Sequence, residues 1–92
     1  MAGSHEGQVV VVTGAGKGIG RAIAERFAGA GAHVAVNDVD AGRVDEVVGA
    51  IAAAGGSAIG TPADVSDSTQ VAAMFDAVVD AWQTVDVLVN NA

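Results

Sequence analysis

The sequence contains no cysteine, no tyrosine and only one proline. Without cysteine there is no disulfide framework and no thiolate ligand or nucleophile. Basic residues are scarce too. Four Lys and Arg stand against eleven Asp and Glu, a net charge of −7, and Lys17 is the only lysine. Nucleic acids and anionic membrane surfaces are bound through basic patches, so neither is expected as a partner. His5 and His33 are the only imidazoles, which argues against a multi-histidine metal site. No apolar run approaches the length of a membrane span. Residues 1–6 have neither the basic start nor the apolar core of a secretory leader. A soluble, cytoplasmic chain is expected. What is abundant is apolar: 51% of the 92 residues are hydrophobic and the mean hydropathy is +0.45. That excludes intrinsic disorder despite the charge, and the length allows at most one small domain.

Two periodicities alternate along the chain. Val9-Val10-Val11-Val12 is a continuous β-branched run ending at Thr13-Gly14, the pattern of a parallel strand buried on both faces. After a glycine-rich turn, Ile19, Ala22, Ile23, Phe27 and Ala30 recur at helical spacing. Gly31 is placed to end that helix. Residues 32–36 predict a second strand, closing at Asn37-Asp38. Asp40 is placed to cap a helix carrying Val44, Val47, Val48 and Ile51, which Gly55-Gly56 ends. Residues 57–61 form a weaker third strand before Pro62. Ser66 is the expected cap of a third helix, with Val71, Met74, Phe75, Val78, Val79 and Trp82 as its stripe. Residues 86–89 are a fourth strand. The order β-α-β-α-β-α-β with right-handed crossovers predicts a parallel α/β sheet ordered 3-2-1-4, half of a doubly wound Rossmann fold. Residues 1–8 are expected to be a flexible start, and 9–92 the N-terminal portion of one domain.

The first turn carries the chemistry. Thr13-Gly14-Ala15-Gly16-Lys17-Gly18-Ile19-Gly20 joins a strand to a helix N-terminus. Unpaired N–H groups and the positive end of the helix dipole favour an anion there. Glycines let the backbone approach a pyrophosphate closely. The phosphate loop of nucleotide hydrolases is excluded, because Gly18 follows Lys17 and Val11 stands where its first glycine belongs. The spacing Gly-x-Gly-x-x-Gly also fails, at Ile19.

What remains, Thr-Gly-x-x-x-Gly-x-Gly, resembles the cofactor loop of the short-chain dehydrogenases/reductases. Thr13, Gly14, Gly18 and Gly20 match it. Asp64-Val65 match that family's Asp-Val after the third strand, and Asn90-Asn91-Ala92 its Asn-Asn-Ala after the fourth. One departure is Gln83-Thr84, where the family often ends the helix with glycine. The resemblance implies that the loop from Gly14 to Gly20, with Gly16, Lys17, Gly18 and Ile19, cradles the pyrophosphate of NAD or NADP. It implies that Asp64 accepts from the adenine amino group while the Val65 backbone pairs with the ring. Asn90 would line the ribose, Val39 and Ala92 would complete the cofactor site, and Asn91 would brace the sheet.

Asp38 has a reading of its own. It lies just beyond strand two, where an acid accepts from the ribose hydroxyls of NAD and repels a 2′-phosphate. Lys17 pulls towards NADP. Asp38 is nearer the discriminating group, so NAD is favoured over NADP. Each feature also has a structural alternative. Gly16 can be simple turn chemistry, Asp38 a turn acid, and Asp64 a helix cap. His33 is expected to be packed or at the surface. Met74, Phe75 and Trp82 are read as core, and Asp45, Glu46, Asp76 and Asp80 as solvated helix faces.

No catalytic residue is assigned. The family resembled here uses a tyrosine as proton donor, a lysine four residues later and a serine, but this sequence has no tyrosine and its one lysine lies in the loop. Hydride transfer to a carbonyl needs a positioned general acid. The leading expectation is therefore the dinucleotide-binding part of an oxidoreductase acting on alcohol or carbonyl groups, homo-oligomeric at full length. These 92 residues alone are expected to be inactive. The alternative is a non-catalytic NAD-binding module or an inactive fragment. S-adenosylmethionine on the same half-fold is disfavoured by the three motifs. Strand four, with Val87, Leu88 and Val89, is expected to be an unpaired edge that makes an isolated fragment marginal.

Overall fold

A computed structural model describes residues 5–91. Its elements are β1 (Val9–Val12), α1 (Gly18–Gly29), β2 (His33–Val36), α2 (Ala41–Ala53), β3 (Ser57–Gly60), α3 (Ser68–Trp82) and β4 (Val87–Val89). The four strands are parallel and ordered β3-β2-β1-β4. β1 is central and all four of its valines are buried. Val10 and Val12 face α1 and α2, while Val9 and Val11 face α3. Strand side chains alternate faces, so a β-branched residue at every position fills both layers at once. Each buried valine contributes on the order of 1.5–3 kcal/mol.

Both turns out of the first two helices follow one scheme. Gly31 (φ +94°) and Gly55 (φ +86°) take left-handed backbone just past the helix ends. Around each, two N–H groups return to the last helical carbonyls: Gly31 to Ala28 and Ala32 to Phe27, then Gly55 to Ala52 and Gly56 to Ile51. α3 ends differently. Gln83 adopts φ +73° with no glycine to relieve it. A side chain in that region costs on the order of 1 kcal/mol. Gln83→Gly is therefore expected to stabilise the protein by about 0.5–1 kcal/mol, the relief being partly offset by glycine's larger entropy in the unfolded chain. Urea unfolding measures it, and an unchanged or lower midpoint would contradict the account.

The structure corrects several local expectations. The face of α1 that meets the sheet is Gly20, Ala24 and Ala28, not the stripe from Ile19 to Ala30. Small residues let the helix axis come close to the strands, while Ile23 and Phe27 pack at the margin. Ile19 is 75% exposed. The cap of α3 is Asp67 rather than Ser66, its carboxylate accepting from the N–H groups of Thr69 and Gln70. A carboxylate reaches two orphan donors of the first turn where the hydroxyl one residue earlier reaches none. Within the expected start of the chain, residues 5–8 make contacts with the end of α1 and the turn after it. The N–H groups of His5 and Gly7 donate to the carbonyls of Ala30 and Gly31, and the His5 ring meets Phe27 edge-on at 5.0 Å. Residues 1–4 lie outside the described residues.

His33 is packed. Its ring stacks on Trp82 at 5.2 Å, and Nδ1 lies 2.8 Å from the Ser57 hydroxyl. β4 is the sheet's edge, with Leu88 52% exposed. It is anchored at its start by Asp86, whose carboxylate accepts from Val9 N–H and whose own N–H donates to the Val9 carbonyl. Among the described residues no helix is long and apolar enough to cross a membrane.

Candidate functional site

Parallel strands all finish at the same end of the sheet, so the turns after β1, β2, β3 and β4 gather there, around the place where the strand order reverses. The turn after β1 is drawn into shape by its neighbours. Thr13 N–H donates to the Val89 carbonyl, and the Thr13 hydroxyl lies 3.3 Å from both that carbonyl and Asn90 Oδ1. Asn91 binds from the far side. Its N–H donates to Thr13 Oγ1 at 2.9 Å and its Nδ2 to the Gly14 carbonyl at 3.2 Å. Gly14 and Gly18 both take φ +60°.

Beside two of the glycines the space is occupied. A Cβ on Gly20 would overlap the Gly14 carbonyl oxygen and sit 2.6 Å from Asn91 Nδ2. A Cβ on Gly16 would sit 2.7 Å from Asp38 Oδ2 and 3.0 Å from Arg43 Cβ. Besides the Ala15 N–H, which donates to the Asn37 carbonyl, Gly16 is where the β2–α2 connection touches the glycine turn.

The contact is a hydrogen bond. Gly16 N–H donates to Asp38 Oδ2 at 3.0 Å, and Asp38 Oδ1 accepts from Asp40 N–H at 3.1 Å. None of the ion pairs among the described residues involves Asp38; they are Arg21–Glu25, Arg21–Glu46 and Arg43–Asp40. Arg43 was not singled out from sequence, yet it lies beside Gly16 and is held by Asp40 at 3.6 Å. Its only local signal is a cation in the first turn of α2, where the helix dipole prefers an anion. Lys17 is the N-terminal boundary residue of α1 and exposed, and its side chain makes no capping bond. The first turn of α1 therefore has no side-chain oxygen at its cap.

The turn after β3 carries Asp64 and Val65, both exposed. Asp64 Oδ1 accepts from Ser66 N–H at 2.9 Å and from the Ser66 hydroxyl at 2.6 Å. These bonds hold the Asp64 carboxyl below the usual aspartate range. A lowered folded-state pKa adds stability above the ordinary aspartate value. That contribution is lost as pH falls through the folded value. Ser66→Ala removes the stronger bond and should move the Asp64 pKa back up towards normal. Carboxyl-carbon NMR titration reads this, and an unmoved pKa would contradict it.

Three of the exposed large hydrophobics stand at this end of the sheet: Ile19 (75%) at the start of α1, Val39 (73%) after β2 and Val65 (37%) after β3. Around them stand the glycine turn, Asp38, Asp64 and Asn90. Ala92, also in the sequence-derived set, lies outside the described residues. The arrangement offers uncapped helix N–H groups for an anion, carboxylates for hydroxyl or amino donors, and apolar side chains for a ring. Those features fit a dinucleotide. No group of three or more potential metal ligands occurs among the described residues.

A family model described as short chain dehydrogenase matches residues 8–92. An uncharacterised oxidoreductase of Methylorubrum extorquens is 51% identical over 88 residues, 95% of this chain and 36% of the relative. A 7alpha-hydroxysteroid dehydrogenase of Escherichia coli is 40% identical over 87 residues, 95% of this chain and 34% of the relative. Among solved structures, a hydroxysteroid dehydrogenase from Escherichia coli superposes with a TM-score of 0.93 at 40% identity, over 95% of this chain and 37% of that one. A 7 alpha-hydroxysteroid dehydrogenase in complex with NADH and 7-oxo glycochenodeoxycholic acid gives 0.88 at 37% identity, over 90% and 32%. The chain spans about a third of the length of these relatives.

Proposed function

The chain belongs to the short-chain dehydrogenase/reductase family, and from that premise we propose that it is the dinucleotide-binding part of an NAD(P)-dependent oxidoreductase acting on alcohol or carbonyl groups. The observation that carries the reading is the meeting of the Asp38 carboxylate with the Gly16 N–H at 3.0 Å. It puts an acid with no ion-pair partner against an anion-binding turn, which suits a ribose joined to a pyrophosphate. When bound, the dinucleotide supplies hydride transfer between its nicotinamide and a carbonyl carbon.

The residues of this chain hold and orient. Gly14, Gly16, Lys17, Gly18, Ile19 and Gly20 receive the pyrophosphate and its flank. Asp38 accepts from the ribose hydroxyls, and Val39 and Val65 cover the adenine. Asp64 accepts from the adenine amino group. Its Oδ1 is engaged by Ser66, which leaves Oδ2 for that donor. Asn90 lines the ribose. The Asp38 charge favours NAD over NADP, against the pull of Lys17 and Arg43.

No tyrosine occurs in these 92 residues, so the proton donor that the family places on tyrosine is not among them, and no catalytic residue is proposed here. A second reading, resting on the same cofactor-binding turn, is a dinucleotide-binding module without chemistry. Titration with NADH, followed by its fluorescence, tests the shared part. Saturable binding with NADH preferred over NADPH is expected. No saturable binding by a folded sample would overturn both readings. Oxidation of secondary alcohols by the whole gene product, steroid alcohols first among them, separates the two.

A further inference from the structure

Asn37 is 1% exposed and the only buried amide side chain among the described residues. The mechanism above gives it no role. It follows β2 directly, and its polar groups reach the end of β1, the turn after β1 and the turn after β3. Its N–H donates to the Val12 carbonyl at 3.0 Å, and its carbonyl accepts from Ala15 N–H at 2.7 Å, inside the glycine turn. Its Nδ2 donates to the Thr61 carbonyl at 2.9 Å and to the Ala63 carbonyl at 3.2 Å. Ala63 N–H in turn donates to the Asp38 carbonyl at 3.1 Å.

The β2–β3 ladder does not require this side chain. The paired register ends at Val36 and Gly60. Beyond it two backbone bonds continue, Thr61 N–H to the Val36 carbonyl and Ala63 N–H to the Asp38 carbonyl, while the carbonyls of Thr61 and Ala63 accept from the Asn37 amide. Asn37 satisfies both with one amide nitrogen. A hydrocarbon of similar size would leave two buried acceptors unpaired, and a carboxylate would set acceptor against acceptor. Together with the Ala63–Asp38 backbone bond, this one side chain sets the spacing between Asp38, its chain neighbour, and Asp64, which follows Ala63.

We propose that Asn37 is the positioning residue for adenine recognition: it touches no ligand itself but holds the Asp64 turn at the distance from Asp38 that one adenosine requires. The inference rests on the proposed reading of Asp64 as acceptor of the adenine amino group. It goes further by assigning the selectivity for that group to a buried residue on another strand.

The test compares NAD with nicotinamide hypoxanthine dinucleotide, in which the adenine amino group is replaced by a carbonyl oxygen. Affinities are measured on the whole protein, with thermal unfolding of the same samples. The unsubstituted protein should prefer NAD by about tenfold or more, the scale of one lost hydrogen bond to a charged acceptor. Asn37→Asp keeps the shape and inverts the polarity; Asn37→Ser is smaller and leaves room for water if the first does not fold. In a folded variant the preference should fall below about threefold, with affinity for the hypoxanthine analogue changed by less than about threefold. A folded variant that keeps the original preference overturns the inference. So does an equal loss of affinity for both dinucleotides, or failure of both variants to fold, since each describes a residue that serves stability alone. A ratio near one before any substitution overturns the reading of Asp64 itself, and is recognised by appearing in the unsubstituted protein.

Discussion

Gly20→Ala is expected to abolish dinucleotide binding and to destabilise the protein at the same time. The added Cβ would overlap the Gly14 carbonyl oxygen and crowd Asn91 Nδ2 at 2.6 Å. Neither neighbour can yield easily. The Gly14 carbonyl accepts from Asn91 Nδ2, and Asn91 is held through its own N–H by Thr13. α1 must therefore move away from β1, or the glycine turn must open. Overpacking of this kind costs about 1–3 kcal/mol, which in a domain this small lowers the melting temperature by roughly 5–20 °C. Binding should weaken by more than about a hundredfold, because the N–H groups aimed at the anion lose their common focus. Gly18→Ala is the control for stability alone. It meets nothing within 4 Å and only adds a side chain at φ +60°, for about 1 kcal/mol. If Gly20→Ala binds NADH and melts like the parent, the close approach of α1 to the turn is not what shapes the site.

The second large effect belongs to Asp38. Asp38→Ala should move the preference from NAD towards NADP by roughly 30-fold, about 2 kcal/mol. The estimate starts from about 4 kcal/mol for two unit charges 4 Å apart near a protein surface, reduced because the carboxylate is half-exposed. Two changes act in the same direction. A negative charge beside the ribose disappears, and Gly16 N–H loses its acceptor and is released towards a phosphate. Arg43, whose Cβ lies beside Gly16, is then the basic residue at this contact. Competition of NADPH against NADH, measured at two ionic strengths, reads the shift. An unaltered ratio would remove Asp38 from the discrimination. A fall in both affinities with no change of ratio would mean that Asp38 only holds the glycine turn together.

Much of the architecture follows from short stretches of chain. The four valines of β1 specify a strand buried on both faces, whatever lies elsewhere. Asp40 caps α2, its carboxylate accepting from Arg43 N–H. Gly31 and Gly55 end helices because left-handed backbone is open to glycine. The glycine turn is legible because its spacing, and its place between a strand and a helix, are contiguous. The same locality explains the misreadings. Ser66 and Asp67 are both good caps by type, and only the path out of β3 decides between them: it gives Ser66 to Asp64 and leaves Asp67 facing the helix. On α1 the bulky stripe looks like the buried face, yet Gly20, Ala24 and Ala28 meet the sheet. A parallel strand pair lying beneath a short connection draws the helix in until only small side chains fit.

What the sequence alone determined is therefore the list of elements, their parallel order 3-2-1-4 and the kind of ligand that the turn after β1 suits. Each depends on periodicity or turn chemistry within a few residues, and right-handed crossover geometry does the rest. Only the tertiary structure decided which groups meet. Asn91 reaches Gly14 across 77 residues of chain, Asp38 reaches Gly16 across 22, and Asn37 reaches Thr61 and Ala63 across 24 and 26. Such pairs are set by the register of neighbouring strands. Register is a property of the assembled sheet, since a one-residue slip turns every side chain to the opposite face.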